Sequence, residues 1–142
     1  MRGVEGEKWP AKAVRAGFAY FAVVFAFGFA FGAFRTIVVA PTVGELTAVA
    51  LEVPFMLALS WIASRWLIGR LGVDAGVSAR LTMGGVAFAL LMVAELGLSV
   101  LLGRTLTEHF GAYRHAPGIL GLAGQVAFAA FPLVRWPTAR PN

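Results

Sequence analysis

Hydrophobic positions along the chain gather into four long runs, and charged residues, Gly and Pro collect between them. Residues 16–34 and 116–134 contain no charge, residues 46–64 contain only Glu52, and residues 81–103 contain only Glu95. The runs are 19, 19, 23 and 19 residues long. At about 1.5 Å rise per residue, roughly 20 helical residues cross a ~30 Å hydrocarbon core, so each run is long enough to span it. Period-two alternation is absent, and an open strand leaves its backbone unsatisfied in lipid, so the pattern predicts helices. The connectors carry helix breakers: Ala40-Pro41-Thr42-Val43-Gly44, the segment 69–76 with three Gly, and Pro117-Gly118. Links this short turn each helix back along its predecessor. The expected fold is all-α and integral to a membrane, a single-domain antiparallel up-down-up-down four-helix bundle. Its spans fall at about 14–37, 43–66, 80–103 and 117–135.

Composition agrees with lipid as the solvent. The 142 residues are 59% hydrophobic and 13% charged, too apolar for a water-soluble domain of this length. The formal net charge of +5 comes from basic residues scattered singly between apolar runs, without the basic stripe and interleaved aromatics of a nucleic-acid surface. Lipid headgroups are the expected counterpart. Of the twelve Lys and Arg, nine (Arg2, Lys8, Lys12, Arg15, Arg65, Arg70, Arg80, Arg135 and Arg140) fall on the side of the two termini. Three (Arg35, Arg104 and Arg114) fall on the other. The positive-inside rule then places both termini in the cytoplasm, and Trp9, Trp61, Trp66 and Trp136 at that boundary fit the aromatic belt. Pro10 suits a first helical turn. The first run reads as a retained span rather than a cleaved signal, because Glu5 and Glu7 precede it and no small-residue cleavage site follows. Abundant Ala, Gly, Val and Arg beside two Lys fit a bacterial protein and hence an inner (plasma) membrane location.

The absence of Cys excludes disulfides, thiolate metal sites and cysteine nucleophiles. An ionised group in hydrocarbon costs ~2.5 to 3.5 kcal/mol on insertion scales, so Glu52 and Glu95 are the residues that call for a role. Counting inward from Glu45, Arg104 and His115 puts Glu52, Glu95 and Gln125 about 10 to 15 Å below the outer boundary, in one layer. Helical spacing aligns Glu45 with Glu52, aligns Gly84, Phe88, Glu95 and Ser99, and aligns Gln125 with Gly118 and Gly121. Gly28 and Gly32 form a small-xxx-small stripe with Arg35. The expected arrangement is an intramembrane polar cluster of Glu52, Glu95, Gln125 and the Pro54 kink, with Gly28, Gly32, Gly84 and Gly121 at helix contacts. Pro54 lacks an N–H and frees the Ala50 carbonyl beside Glu52. The acids then either hydrogen-bond one another, Gln125 and that carbonyl as packing glue, or carry a proton or cation. Arg35 and Glu45 are expected to pair across the first outer turn, closing that end of the bundle, in preference to the alternative in which Arg35 reaches inward to Glu52 or Glu95, because Arg tends to extend toward the boundary. In the outer loop, Leu106, Phe110 and Tyr113 follow helical spacing and Thr105 with Glu108 fits a capping box, which predicts either a short surface helix or an ordered loop. His109 and His115 with Glu108 offer only an incomplete metal-ligand set. No phosphate loop, nucleophile elbow or catalytic triad can be assembled.

The combination Arg15-Ala16-Gly17, Gly44-Glu45-Leu46, Leu51-Glu52-Val53-Pro54, Ser60-Trp61 and Met83-Gly84 resembles a group of short four-span proteins of proteobacterial inner membranes. That resemblance implies location and fold only. The segment Leu51-Glu52-Val53-Pro54-Phe55 is also similar to the second helix of the membrane-associated eicosanoid and glutathione metabolism family, although Val49 stands where that family has Asn. This second resemblance would imply a glutathione-binding trimeric enzyme. The residues themselves point instead to a non-enzymatic accessory, assembly or stabilising subunit with no cofactor. Its expected partners are the bilayer and either another membrane protein or further copies of itself. The alternative is a small proton- or cation-coupled transporter or channel using Glu52 and Glu95.

Overall fold

A computed structural model of the chain describes residues 8–134. Arg2, Glu5, Glu7, Arg135, Trp136 and Arg140, used above for orientation and for the reading of the first run, lie outside the described residues. Helix accounts for nearly all of the remainder, and no strand occurs among the described residues. Four helices are long and apolar enough to cross a membrane. The first, α1, runs Lys8–Phe34 and continues through a π-helical turn, Arg35–Val39, into the α-turn Ala40–Val43. Then follow α2 (Glu45–Leu71), α3 (Val77–Leu101), the short α4 (Leu106–Gly111) with a 3-10 turn at Ala112–Arg114, and α5 (Ala116–Ala130), which closes with the 3-10 turn Phe131–Leu133.

The helices overrun several of the apolar segments read from the sequence, because polar residues at a membrane boundary do not end a helix. The segment expected as the first connector is largely helical. Pro41 cannot donate to the Ile37 carbonyl, and the chain absorbs that defect in the widened turn before it, where the Ala40 N–H bonds back to the Arg35 carbonyl. Helix stops only at Gly44, whose φ of 87° and ψ of 159° belong to a region essentially confined to Gly. At the far end α2 stops at Gly72 in the left-handed conformation, φ 63°. The outer loop forms the short helix: Thr105 Oγ1 accepts from the Glu108 N–H at 3.1 Å and Glu108 Oε2 accepts from the Thr105 N–H at 3.0 Å, a complete capping box.

The core lies toward the N-terminal part of α1. Ala13, Ala16, Gly17, Tyr20 and Val24 are buried at helical spacing and pack with Ala63, Leu67, Met83, Ala87, Leu91 and Phe128. Two glycines allow the close approaches. A Cβ on Gly17 would sit 2.8 Å from Val86 Cβ and 2.9 Å from the Met83 carbonyl oxygen, and one on Gly84 would run into the Ala129 carbonyl oxygen.

Tyr20, wholly buried, is the polar centre of this core. Its hydroxyl donates to the Phe128 carbonyl at 2.7 Å, and its ring stacks on the Phe128 ring with centroids 4.2 Å apart. Four residues on from Phe128 stands Pro132, which has no N–H to offer that carbonyl, so the phenol takes the missing donor's place. Arg80 completes the end of α5 by donating to the Pro132 carbonyl at 3.1 Å, a cation at a helix C-terminus. Tyr20→Phe is therefore expected to lower the unfolding free energy in detergent by about 1 to 2 kcal/mol, since a buried carbonyl loses its donor. Detergent–urea unfolding followed by Trp fluorescence measures the change, and an unaltered midpoint would contradict this account.

Candidate functional site

The ionisable and amide groups of the membrane-spanning segments meet in two contacts. Arg35, the first residue of the π turn, reaches inward, and its Nη1 lies 2.9 Å from Glu52 Oε2 on α2. The two are close without the alignment of a hydrogen bond, and Glu52 Oε2 is otherwise buried and unpartnered. The Glu52 side chain is 14% exposed and that of Arg35 32%. On the neighbouring helices, Gln125 Nε2 of α5 donates to Glu95 Oε1 of α3 at 2.6 Å. Arg35 is near enough to act electrostatically on Glu95 as well, which ties the two contacts into one assembly of four helices.

Several expectations change. Arg35 pairs with Glu52 and not with Glu45, which stays exposed in the first turn of α2. Turning outward would leave the Glu52 carboxylate uncompensated among apolar groups, and that cost outweighs the tendency of Arg to seek the boundary. Glu52 and Glu95 share no hydrogen bond; each has its own partner. Pro54 is exposed on a helix that continues through it. Gly121 faces open space, Gly32 meets only Arg35 Nη2 at 4.0 Å, and Gly28 meets the flexible end of Met56 at 3.3 Å. Of the four glycines expected at helix contacts, Gly84 is the one at a close backbone approach; the others of that kind are Gly17 and, within the α4–α5 corner, Gly118, where a Cβ would strike the Ala112 carbonyl oxygen.

Around the cluster some acceptors remain unsatisfied. Gln125 Oε1 and the Ser99 hydroxyl are buried without a partner. Tyr113, in the turn above α5, has its phenol pushed above the ordinary range by burial first and by the nearby Glu95 second. His109 packs its ring edge-on against Phe110 and Tyr113, and among the described residues no three His, Cys, Asp or Glu converge as a metal set.

Sequence reasoning missed Tyr20 and its carbonyl partner. The signal was present in the spacing of Ala13, Ala16, Gly17, Tyr20 and Val24, which marks one face of α1, and in Pro132 four residues after Phe128. Chemically, the assembly of Arg35, Glu52, Glu95 and Gln125 can neutralise charge inside the bundle and lock helix against helix. No family model, curated protein or solved structure matches this chain.

Proposed function

We propose that this chain is a non-enzymatic subunit of a bacterial inner membrane, which stabilises or helps assemble another membrane protein. In this reading it forms an antiparallel up-down-up-down bundle with both termini in the cytoplasm. Contacts that favour the antiparallel order are Gly28 with Met56 and Arg35 with Glu52 between α1 and α2, and Gly84 with Ala129 and Glu95 with Gln125 between α3 and α5. The orientation rests on the basic residues near the start of α1 and around the α2–α3 turn.

The observation that carries the role is that both intramembrane acids engage partners inside the bundle, at 2.9 Å and 2.6 Å. Polar groups paired in this way, Glu52 by charge and Glu95 by a hydrogen bond, hold helices together in lipid, where apolar burial gives little drive for helix association. What the chain turns outward is apolar. On the outer half of α1 and the π turn that follows it, Phe27, Phe31, Phe34 and Ile37 are all exposed, Ile37 at 74%.

The test has two arms. Tagged chain drawn from native membranes is expected to bring down a membrane complex, and deletion of the chain to lower that complex's abundance; recovery of the chain alone, with every complex unchanged, counts against the reading. In the second arm, Glu95→Gln is expected to cost less than about 1 kcal/mol, because a Gln–Gln amide bond can replace the contact. A proton or cation flux in proteoliposomes that Glu95→Gln abolishes would replace this proposal with a transport role.

A further inference from the structure

The end of the bundle where α2 runs into α3 combines a strong charge bias with a cation that lacks an acceptor. Among the described residues, Lys8, Lys12, Arg15, Arg65, Arg70 and Arg80 lie on the chain segments that meet there, against the single acid Asp74. Trp9 shares a surface depression with Asp74, Gly76 and Val77, which joins the start of α1 to this turn. Arg80 is engaged with the Asp74 and Pro132 carbonyls. Arg65 is placed differently. Its guanidinium lies over the Trp61 indole, 4.6 Å from the ring centroid, while that indole stands edge-on to Phe131 at 5.4 Å. Its Nε and Nη2 are buried and have no hydrogen-bond partner.

Nε and Nη2 form the edge of guanidinium that matches two oxygens of a phosphate or carboxylate. Leaving that edge enclosed and unpaired is costly, so a small outward turn of the guanidinium along the Trp61 face that brought it to an anion would remove a penalty as well as add attraction. Depth indicates which anion. Arg65 stands 20 residues after the exposed Glu45 on one continuous helix, about 30 Å along its axis, so the two mark opposite faces of a hydrocarbon layer. That is the level of the lipid phosphates. Ile62 and Trp66, exposed at 64% and 61%, flank Arg65 with the apolar surface an acyl chain would cover. From this geometry we infer that Arg65, stacked on Trp61, binds the phosphate of an anionic phospholipid, and that the surrounding cations select a net negative headgroup over a zwitterionic one.

Native mass spectrometry of the full chain in detergent, titrated with phosphatidylglycerol or phosphatidylcholine, tests the assignment. Phosphatidylglycerol is expected to bind about tenfold more tightly than phosphatidylcholine. Arg65→Gln is expected to weaken phosphatidylglycerol about tenfold and Arg65→Lys about threefold, whereas Arg70→Gln changes it less than about twofold. Inorganic phosphate at equal concentration is expected not to displace the lipid. Folding is monitored by circular dichroism; should Arg65→Gln not fold, Arg65→Lys carries the test, and full phosphatidylglycerol affinity in either folded variant overturns the inference. Equal binding of the two lipids, or displacement by inorganic phosphate, overturns it as well.

Discussion

Arg35→Ala is expected to lower the unfolding free energy in detergent by about 3 kcal/mol, among the largest effects of any single substitution in the chain. The change leaves Glu52 without the guanidinium 2.9 Å away and removes the cation that also acts on Glu95. Glu52 and Glu95 would then share a half-buried, apolar surrounding without the guanidinium that balances them. The reverse change costs less. In Glu52→Gln the orphaned partner is Arg35, 32% exposed on a long side chain that can reach the membrane boundary, so about 1 kcal/mol is expected. Arg35→Lys should fall between the two, because an ammonium keeps the charge and loses the planar fork. In the double variant Arg35→Ala/Glu52→Gln, removal of the uncompensated acid should restore about 1 to 2 kcal/mol of what Arg35→Ala loses. A coupling energy below about 0.5 kcal/mol would mean that the Arg35–Glu52 ion pair contributes nothing to holding the helices together.

Gly84→Ala is expected to be nearly as damaging, at about 2 to 3 kcal/mol, and Gly84→Leu to prevent α3 and α5 from packing. The reason is the identity of the obstacle. The added Cβ would run into the Ala129 carbonyl oxygen and lie 3.2 Å from the carbonyl carbon and 3.7 Å from Pro132 Cγ. Backbone on a helix cannot swing aside as a side chain does, so the two helices must move apart and strain the Tyr20–Phe128 and Arg80–Pro132 contacts nearby. An internal control sits next door. Gly85 has nothing within 4 Å of its would-be Cβ, and Gly85→Ala should be neutral or stabilising by up to about 1 kcal/mol through helix propensity. Gly121→Ala, equally open, should behave like Gly85→Ala. If Gly84→Ala and Gly85→Ala shift the unfolding midpoint alike, the close α3–α5 contact is wrong.

How much of this could be read from the chain alone follows from the range of the forces involved. Four helices were legible because hydrocarbon thickness imposes a length and charged residues interrupt the pattern at that period. The Thr105–Glu108 capping box was legible because it is local. The side on which a cation finds its partner was not. Arg35 had two acids within reach, Glu45 across the turn and Glu52 a little deeper, and the choice depends on a widened helical turn forced by Pro41 six residues later. Glycine contacts were equally hard to place, since Gly84 and Gly121 look alike in sequence and differ only in whether a neighbouring backbone arrives. The link from Tyr20 to the Phe128 carbonyl joins residues 108 apart: the small-residue face of α1 and Pro132 each leave a local mark, but nothing local says that the two meet.

A single residue, Gly44, stands between Val43 and Glu45, so α1 and α2 have no slack with which to separate. During synthesis such a hairpin favours joint entry into the bilayer, since partition of the first helix alone would carry Arg35 into lipid before its counter-charge had emerged. Entering together, the two helices bring Arg35 to the hydrocarbon already paired with Glu52, which costs less than carrying either charge alone although the pair still loses its water.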